Sequence, residues 1–283
     1  MNIPFRPNLQ DQVAVVTGGT GVLCSNFAKA LAVCGAKVAI VGRNEEKAKD
    51  IVTAIEGEGG TAIYALADVL DIDSVKAAHE DILKTFGKCD ILINGAGGNN
   101  PRSISYDEFF NKETLYDTEK MSFFDLEPAG FEYVFGLNIT GTLIPTQIFA
   151  GDMIDRPGSV IINVSSMSAY IPLTKVAAYS SAKAAINNFT QWLAVHFAKS
   201  GIRVNAIAPG FFSTAQNASL LWNEDGSPTA RTQKILNNTP MQRFGEAEEL
   251  IGTLLWLVDS QGSGFVTGII VPVDGGFSAY SGV

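Results

Sequence analysis

The sequence predicts an α/β protein in three layers, in which helices cover both faces of a doubly wound parallel β-sheet of seven strands. Short apolar runs rich in β-branched residues alternate along the whole chain with longer segments whose apolar residues recur at helical spacing. Such alternation is typical of parallel strands joined by right-handed crossover helices. The length of 283 residues also fits one domain, because a single hydrophobic core supports α/β chains of about this size.

The elements follow one another in a regular order. Each strand run is apolar at consecutive positions, so we expect strands that are buried on both faces. In chain order the expected strands cover 13–17, 37–41, 61–66, 90–94, 159–165, 202–208 and 269–273. The clearest helical patterns between them cover 25–34, 45–56, 74–86, 177–200 and 247–259.

Two longer segments interrupt this alternation, at 98–130 and at 211–244. Both follow the carboxyl end of an expected strand, where loops of this length usually carry function. No linker, repeat or low-complexity segment divides the chain. We therefore expect one domain over 1–283, with two insertions on the side that would bind a substrate.

Composition excludes several classes of protein. With 20 basic and 29 acidic residues, the formal net charge of −9 would repel nucleic acids and anionic membrane surfaces. We see no export signal in 1–12 and no uninterrupted apolar segment long enough to span a bilayer. Three cysteines cannot all pair, so a reducing cytoplasm is expected. His79 and His196 are expected on solvated helix faces, and we expect no metal site.

A glycine-rich turn joins the first strand to the first helix, with the sequence Thr17-Gly18-Gly19-Thr20-Gly21-Val22-Leu23-Cys24. In this context backbone N–H groups and the helix N-terminus can hold the pyrophosphate of a dinucleotide. The candidate contacts are Gly18, Thr20, Gly21, Val22 and Leu23. The alternative is that the glycines serve only to turn the chain.

Four further motifs follow later in the chain: Asp68-Val69, Asn94-Gly95-Ala96-Gly97, Tyr179-Ser180-Ser181-Ala182-Lys183 and Pro209-Gly210 with Thr214. Together with the glycine-rich turn they resemble the short-chain dehydrogenase/reductase family, from residue 11 to the C-terminus, and the second motif differs in one residue from the family's Asn-Asn-Ala-Gly. The resemblance implies a Rossmann-type fold that binds NAD(P). In the family pattern Thr-Gly-x-x-x-Gly-x-Gly, however, Val22 and Cys24 occupy the second and third glycine positions. Cys24 could be a redox thiol, but in this turn we interpret it as a packing residue. Further cofactor contacts implied by the resemblance are Asp68 and Val69, then Asn94, Ala96 and Gly97, and finally Pro209, Gly210 and Thr214.

The resemblance also implies a catalytic set of four residues. Tyr179 and Lys183 lie one helical turn apart, and a nearby ammonium favours the phenolate that a tyrosine needs for acid–base chemistry. Ser166, thirteen residues before Tyr179, would orient the substrate carbonyl, although Ser165 and Ser168 are rivals by position. Asn138 would kink a helix and anchor a water that leads to the lysine.

The end of the second strand bears on the choice of cofactor. NAD-specific sites usually place an acid there, whereas this chain has Gly42 followed by Arg43. A guanidinium can pair with a 2′-phosphate or stack on adenine. The sequence therefore favours NADP(H), with NAD(H) possible, and neither reading requires a metal.

The insertion after Gly97 resembles the branch of the family known as D-mannonate oxidoreductases or fructuronate reductases, which interconvert D-fructuronate and D-mannonate. Asn99, Asn100 and Arg102 are candidates for binding a sugar acid, together with Ser166, Tyr179 and Trp222. Arg102 could equally be a surface charge and Trp222 a subunit contact. The segment 211–244 is expected to form a lid, with Arg231 as a further contact.

Two other functions remain open at this point. One is another sugar-acid or polyol dehydrogenase, similar to gluconate 5-dehydrogenase. The other is a non-catalytic protein that senses a dinucleotide, against which the complete Ser166, Tyr179 and Lys183 set argues. By resemblance to the family we expect a homotetramer.

Overall fold

The computed structural model describes residues 1, 3–213 and 221–282. Seven strands form one parallel sheet in the order β3-β2-β1-β4-β5-β6-β7. The strands are β1 Val13–Thr17, β2 Lys37–Gly42, β3 Thr61–Leu66, β4 Ile91–Asn94, β5 Val160–Val164, β6 Arg203–Pro209 and β7 Ile270–Val273. The direction of winding reverses between β1 and β4, and the crevice at the carboxyl ends of those strands is where doubly wound sheets bind ligands.

Helices cover both faces of the sheet, as the sequence predicts. They are α1 Val22–Val33, α2 Glu45–Gly57, α3 Ile72–Phe86, α4 Pro128–Phe135, α5 Gly141–Met153, α6 Ala177–Phe197, α7 Ala230–Asn237, α8 Ile251–Val258 and α9 Ser260–Ser263. Differences from the expected bounds are small. The largest is at α8, because the expected helix 247–259 opens with a 3₁₀ turn at Ala247–Leu250.

The expectation that every strand is buried on both faces is wrong for the two edge strands. All residues of β1, β4 and β6 are buried, whereas β3 has exposed ends and no residue of β7 is fully buried. An edge strand has a neighbour on one side only, so apolar residues there are covered less completely. Buried side chains form a core cluster on each face of the sheet, built largely by α1 and α8 on one face and by α3 and α5 on the other.

The two histidines differ from each other. His196 is exposed, as expected, and its ring stacks on Trp192. The expectation of a solvated His79 is wrong. Its Nε2 lies 2.9 Å from Oδ2 of Asp152, and its ring meets Phe149 edge-on, because α3 packs against α5 at this point.

The first insertion, 98–130, is built from short turns and enters α4 at its end. Three 3₁₀ turns lie at Pro101–Ser103, Lys112–Thr114 and Phe123–Asp125, and each is preceded by an Asn or Ser side chain that caps it.

No helix among the described residues is both long and apolar enough to cross a membrane.

Candidate active site

A cleft of about 400 Å³ opens at the carboxyl ends of β1, β2 and β4, where the topology predicts a ligand. Its lining contains eight of the residues that the sequence nominates for the cofactor: Gly18, Thr20, Gly21, Arg43, Asp68, Val69, Ala96 and Gly97. It also contains Gly42, Asn44, Lys47, Gly95 and Leu137, which the sequence motifs do not single out as ligands. Lys47 is the most informative addition, because it supplies a second cation beside Arg43.

The glycine-rich turn keeps its shape despite Val22 and Cys24. Gly18 has φ +62°, and a Cβ at this position would lie 2.7 Å from the backbone N of Ala96, so only glycine fits. The N–H of Gly21 donates to the carbonyl of Gly18 (2.9 Å), which closes the turn. Val22 begins α1, and the α1 N-cap residue, Gly21, makes no side-chain cap. The first backbone N–H groups of α1, at Val22 and Leu23, therefore suit the pyrophosphate of a dinucleotide.

Cys24 is buried in the core, in agreement with a packing role. Burial raises the pKa of its thiol to about 12, so the reactive thiolate is disfavoured. Its sulfur fills the space that a Cβ on Gly95 would need. The family turn Asn-Asn-Ala-Gly has Asn where this chain has Gly95, and the two departures from the family pattern therefore form one matched pair.

Gly42 and Thr20 form a similar close pair at the end of the cleft that contains Arg43. A Cβ on Gly42 would meet the side chain of Thr20 at 3.2 Å, so the side chain of an acid at position 42 would be crowded. Arg43 is 66% exposed at its side chain, and its guanidinium lies 3.6 Å from Oδ2 of Asp68. Oδ1 of Asp68 accepts the N–H of Leu70 in an Asx turn, so Asp68 both shapes its loop and pairs with Arg43.

Asn94, a candidate cofactor contact, is not among the residues that line the cleft. Its side chain is buried and donates to Oγ1 of Thr146 and Oδ1 of Asn163, both at 2.9 Å. The side chain thus ties β4 to its neighbours behind the cleft, while the next residues, up to Gly97, line it.

Ser166 and Tyr179 lie where the 3₁₀ turn that follows β5 packs against α6, and the Ser166 side chain acts on the pKa of Tyr179. Ser166 is buried, follows β5 and caps the 3₁₀ turn Met167–Ala169. The two rival serines are hydrogen-bonded to other side chains of the protein. Ser165 donates to Oδ1 of Asn187, and Ser168 donates to Oγ of Ser166 at 3.0 Å.

Lys183 lies one turn beyond Tyr179 on α6, with Nζ 5.6 Å from the centre of the tyrosine ring. Its ammonium donates to the carbonyl of Val164 at 2.8 Å. Burial lowers the pKa of Lys183 to about 8, since a charged amine is disfavoured away from water. Burial also raises the pKa of Tyr179, and the hydrogen bond from Ser166 offsets only part of that effect. The expected lowering of the tyrosine pKa by Lys183 is thus not evident in the protein without its cofactor.

Asn138 lies in a π-helical turn, Gly136–Thr140, between α4 and α5. Its Nδ2 donates to the carbonyls of Gly98 and Val134, both at 2.8 Å, while its buried Oδ1 has no partner. A Cβ on Gly97 would lie 2.7 Å from this oxygen and 3.1 Å from Nζ of Lys183, which places both atoms beside Gly97. An unpartnered acceptor next to an ammonium is where a bound water fits.

The loop after β6 approaches the tail of the chain. A Cβ on Gly210 would lie 2.5 Å from Cα of Asp274, so the Pro209-Gly210 turn requires glycine there. Thr214, the remaining cofactor candidate of this loop, lies outside the described residues.

The candidate substrate residues are placed mostly in loop structure. Oδ1 of Asn99 and Oδ1 of Asn100 accept backbone N–H groups of the following turn. Arg102 pairs with Glu127 at 3.3 Å. Trp222 is partly exposed and packs edge-on against Phe244, and Arg231 is exposed on α7. No group of three potential metal ligands occurs among residues 1, 3–213 and 221–282.

The known proteins that are similar to this chain are oxidoreductases, in agreement with the residues of the site. The chain is 56% identical over 281 residues to an uncharacterized oxidoreductase, UxuB, of Bacillus subtilis, covering 99% of this chain and 100% of that protein. A crystal structure with bound NAD, provisionally named a D-mannonate oxidoreductase of Haemophilus influenza, has a TM-score of 0.94 at 52% identity and covers 98% of both chains.

A second solved structure is a gluconate 5-dehydrogenase from Burkholderia cenocepacia in complex with NADP and tartrate. It matches at a TM-score of 0.79 and 29% identity, covering 96% of this chain and 97% of that chain. The family model described as short chain dehydrogenase matches residues 12–225. The glycine turn, the Ser166, Tyr179 and Lys183 cluster and these relationships have one explanation: the chain is an oxidoreductase that acts on alcohol groups with a nicotinamide dinucleotide, and it belongs to the short-chain dehydrogenase family.

Proposed function

We propose that this protein interconverts D-fructuronate and D-mannonate with a nicotinamide dinucleotide. The observation that carries the proposal is the assembled cluster of Ser166, Tyr179, Lys183 and Asn138, in a chain that is 52% identical to a provisionally named D-mannonate oxidoreductase. The cluster supports the reaction type, and the relationship supports the substrate.

The residues divide the acid–base work. When bound, the cofactor supplies or accepts the hydride. Tyr179 gives its hydroxyl proton to the oxygen of the ketone during reduction and takes it back during oxidation. Ser166, which lies beside Tyr179, orients the same oxygen and stabilises its developing negative charge.

Lys183 and Asn138 return the proton. The ammonium of Lys183 stabilises the tyrosinate that remains after reduction. A water held by the free Oδ1 of Asn138 would connect Lys183 to solvent, because that oxygen and Nζ lie on the same side of Gly97. Asn138 is then a positioning residue.

For the cofactor we propose that the site takes both forms and prefers NADP(H). Arg43 and Lys47 offer two cations to a 2′-phosphate, and no acid stands at Gly42 to repel it. Asp68 opposes this preference, since its carboxylate already pairs with Arg43. Bound NAD in the Haemophilus structure shows that a relative accepts the form without the phosphate.

Exchange of one charge tests the cofactor preference. Arg43→Asp should raise the KM for NADPH roughly tenfold or more and leave the KM for NADH within about threefold, because only NADPH loses a charge-assisted hydrogen bond. Lys47→Met should act in the same direction and more weakly. Equal losses for the two cofactors would show that Arg43 does not contact the phosphate.

A second candidate function is that of a gluconate 5-dehydrogenase, which the similarity to the Burkholderia enzyme favours. Steady-state rates with D-fructuronate and with 5-ketogluconate, each with NADH and NADPH, separate the two functions. We expect the higher kcat/KM for D-fructuronate. A higher value for 5-ketogluconate would move the protein to the second function, and binding of cofactor without turnover of any ketone would favour a sensor.

Two further properties belong to this proposal. Trp192 and Val195 are exposed on one face of α6 and Phe265 is fully exposed, which favours burial against other copies in a homotetramer. Light scattering of the purified protein measures that assembly. The three free, buried thiols suit a reducing cytoplasm.

A further inference from the structure

We propose that Lys175 binds the carboxylate of the sugar-acid substrate. This inference rests on the proposed function, since it names the group that recognises the acid. Lys175 belongs to the loop that joins Ser166 to Tyr179, only four residues before the tyrosine. Because Ser166 and Tyr179 lie at the two ends of this loop, and the turn after Ser166 packs against α6, the loop borders the place where the ketone would react.

The backbone at Lys175 is held in an unusual conformation. Its φ is +72°, in the left-handed region that disfavours side chains with a Cβ. A lysine gains nothing locally from this conformation, whereas glycine or asparagine would adopt it at lower cost. Asp11, Asp155 and Gln242 also have a positive φ, so the conformation alone does not mark a site; it shows that surrounding structure holds the backbone of Lys175 in place.

The surrounding structure that enforces it is the first insertion. The N–H of Ser105 donates to the carbonyl of Lys175 at 3.0 Å, and the next residue, Tyr106, lies under the lysine side chain with its ring centre 5.6 Å from Nζ. The insertion is therefore fixed to the loop that precedes the catalytic tyrosine. The same contact orients the ammonium of Lys175.

The charge of Lys175 is uncompensated among the described residues. Arg102, the cation that the sequence nominates, pairs with Glu127, and Lys120, which lies over the same Tyr106 ring, pairs with Asp117 at 3.0 Å. None of the ion pairs found in residues 1, 3–213 and 221–282 includes Lys175, although its side chain is only partly exposed. A partly buried cation whose only recorded partner is an aromatic ring can bind an anion.

The chemistry of the substrate fits this placement. In a hexuronate the carboxylate lies four bonds from the ketone, roughly 5 Å away in an extended chain. An acidic protein of net charge −9 needs local positive charge to hold such an anion, since the whole-molecule field repels it. Lys175 would supply that charge at one end while Tyr179 and Ser166 engage the ketone at the other.

The test replaces Lys175 by glycine, which suits φ +72° and so preserves the fold. Lys120→Met is the matched control, because it removes a lysine over the same aromatic ring. D-fructuronate is compared with D-fructose, in which a CH₂OH group replaces the carboxylate. For Lys175→Gly we expect the KM for D-fructuronate to rise roughly tenfold to a hundredfold, the range of a charge-assisted hydrogen bond. The activity with D-fructose, the KM for the cofactor and the control variant should stay within about twofold, and Tm should be unchanged or higher.

Unchanged KM for D-fructuronate in Lys175→Gly, or equal losses for D-fructuronate and D-fructose, would overturn the proposal and leave the proposed function intact. If the wild-type protein does not reduce D-fructuronate, it is the proposed function that fails. Calorimetric titration of D-mannonate and D-gluconate into the NADH-bound protein then decides. Weaker binding to Lys175→Gly than to Lys120→Met supports the carboxylate site, whereas equal or absent binding contradicts it.

Discussion

Burial controls the two titrating groups of the site. Lys183 keeps its ammonium only below about pH 8, while the phenol of Tyr179, with its raised pKa, stays protonated through that range. The group that titrates near neutrality is therefore the lysine. The tyrosine, which is the proton donor, depends on it.

Ketone reduction should consequently fall as the pH rises through about 8, because Lys183 loses the charge that stabilises the tyrosinate. The measurement is kcat/KM for reduction against pH. Unfolding would not explain the fall, since the pKa of Lys183 is lower in the folded state than its ordinary value of ~10.4 and its contribution to stability rises with pH across that interval. Lys183→Arg, whose guanidinium does not titrate, should retain some activity and lose this pH dependence; an unchanged profile would remove Lys183 as its source.

Cys24 and Gly95 form a matched pair, and the energetic coupling between them can be measured. Gly95→Asn should lower the free energy of unfolding by about 2 kcal/mol, because the new Cβ would occupy the space of the Cys24 sulfur. In the double variant with Cys24→Gly, part of this loss should be recovered. Recovery is incomplete since the same Cβ would also lie 2.8 Å from the carbonyl of Thr17.

Urea denaturation of the four proteins gives the coupling energy between the two positions, expected at about 1 kcal/mol in the favourable direction. Strict additivity would show that the two departures from the family pattern are independent. Cofactor binding by the same variants reports whether the pair also shapes the cleft.

Residue types and spacing predict much of this site. The motifs around Gly18, Asp68, Gly97 and Tyr179 bring together residues that the structure places on one cleft or beside it. Other features depend on three-dimensional contacts that no local pattern contains. Examples are the buried orientation of Asn94 and the uncompensated charge of Lys175, since each is decided by elements far away in the sequence.

At the scale of elements, the structure shows how the two insertions are related. The first insertion follows β4 and the second follows β6, yet Glu108 of the first forms an ion pair with Lys234 on α7 in the second. The N–H of Ser105 donates to the carbonyl of Lys175, which ties the first insertion to the loop that joins Ser166 to Tyr179. The two segments are thus linked to each other and, through Ser105, to the loop that joins Ser166 to Tyr179.

Removal of the Lys234 charge should loosen the connection between the two insertions. We expect Lys234→Met to raise the KM for the ketone by roughly twofold to fivefold with little change in kcat, because a partly exposed ion pair contributes only ~0.2–1 kcal/mol. Glu108→Gln should have the same effect, and the double variant should be no worse than either single one. Additive losses would indicate that the two side chains act separately.

The sequence predicts element types better than element environments. Alternating apolar and helical patterns identify all seven strands, because each pattern is local. The partial exposure of β3 and β7 follows from their edge positions, and edge position is a property of strand order. The pairing of His79 with Asp152 likewise requires the packing of α3 on α5, which helical periodicity does not specify.

The whole molecule is acidic, with a formal net charge of −9, whereas the proposed cofactor and substrate are both anions. Arg43 and Lys47 line the cleft, and Lys175 lies in the loop that joins Ser166 to Tyr179. Under the two proposals above, these cations would meet a phosphate and a carboxylate, and at physiological salt the remaining negative charge is screened beyond about 8 Å.

The proposed reaction is tested by comparing wild type with Tyr179→Phe in the reduction of D-fructuronate. The rate is measured as the loss of reduced cofactor, and the product is identified. Wild type should form D-mannonate. The variant should turn over roughly 10²–10⁴-fold more slowly, because it lacks the proton donor. Both should bind the cofactor with similar affinity in a calorimetric titration. Unchanged turnover in Tyr179→Phe, or no turnover of D-fructuronate by a wild-type protein that binds the cofactor, would contradict the account.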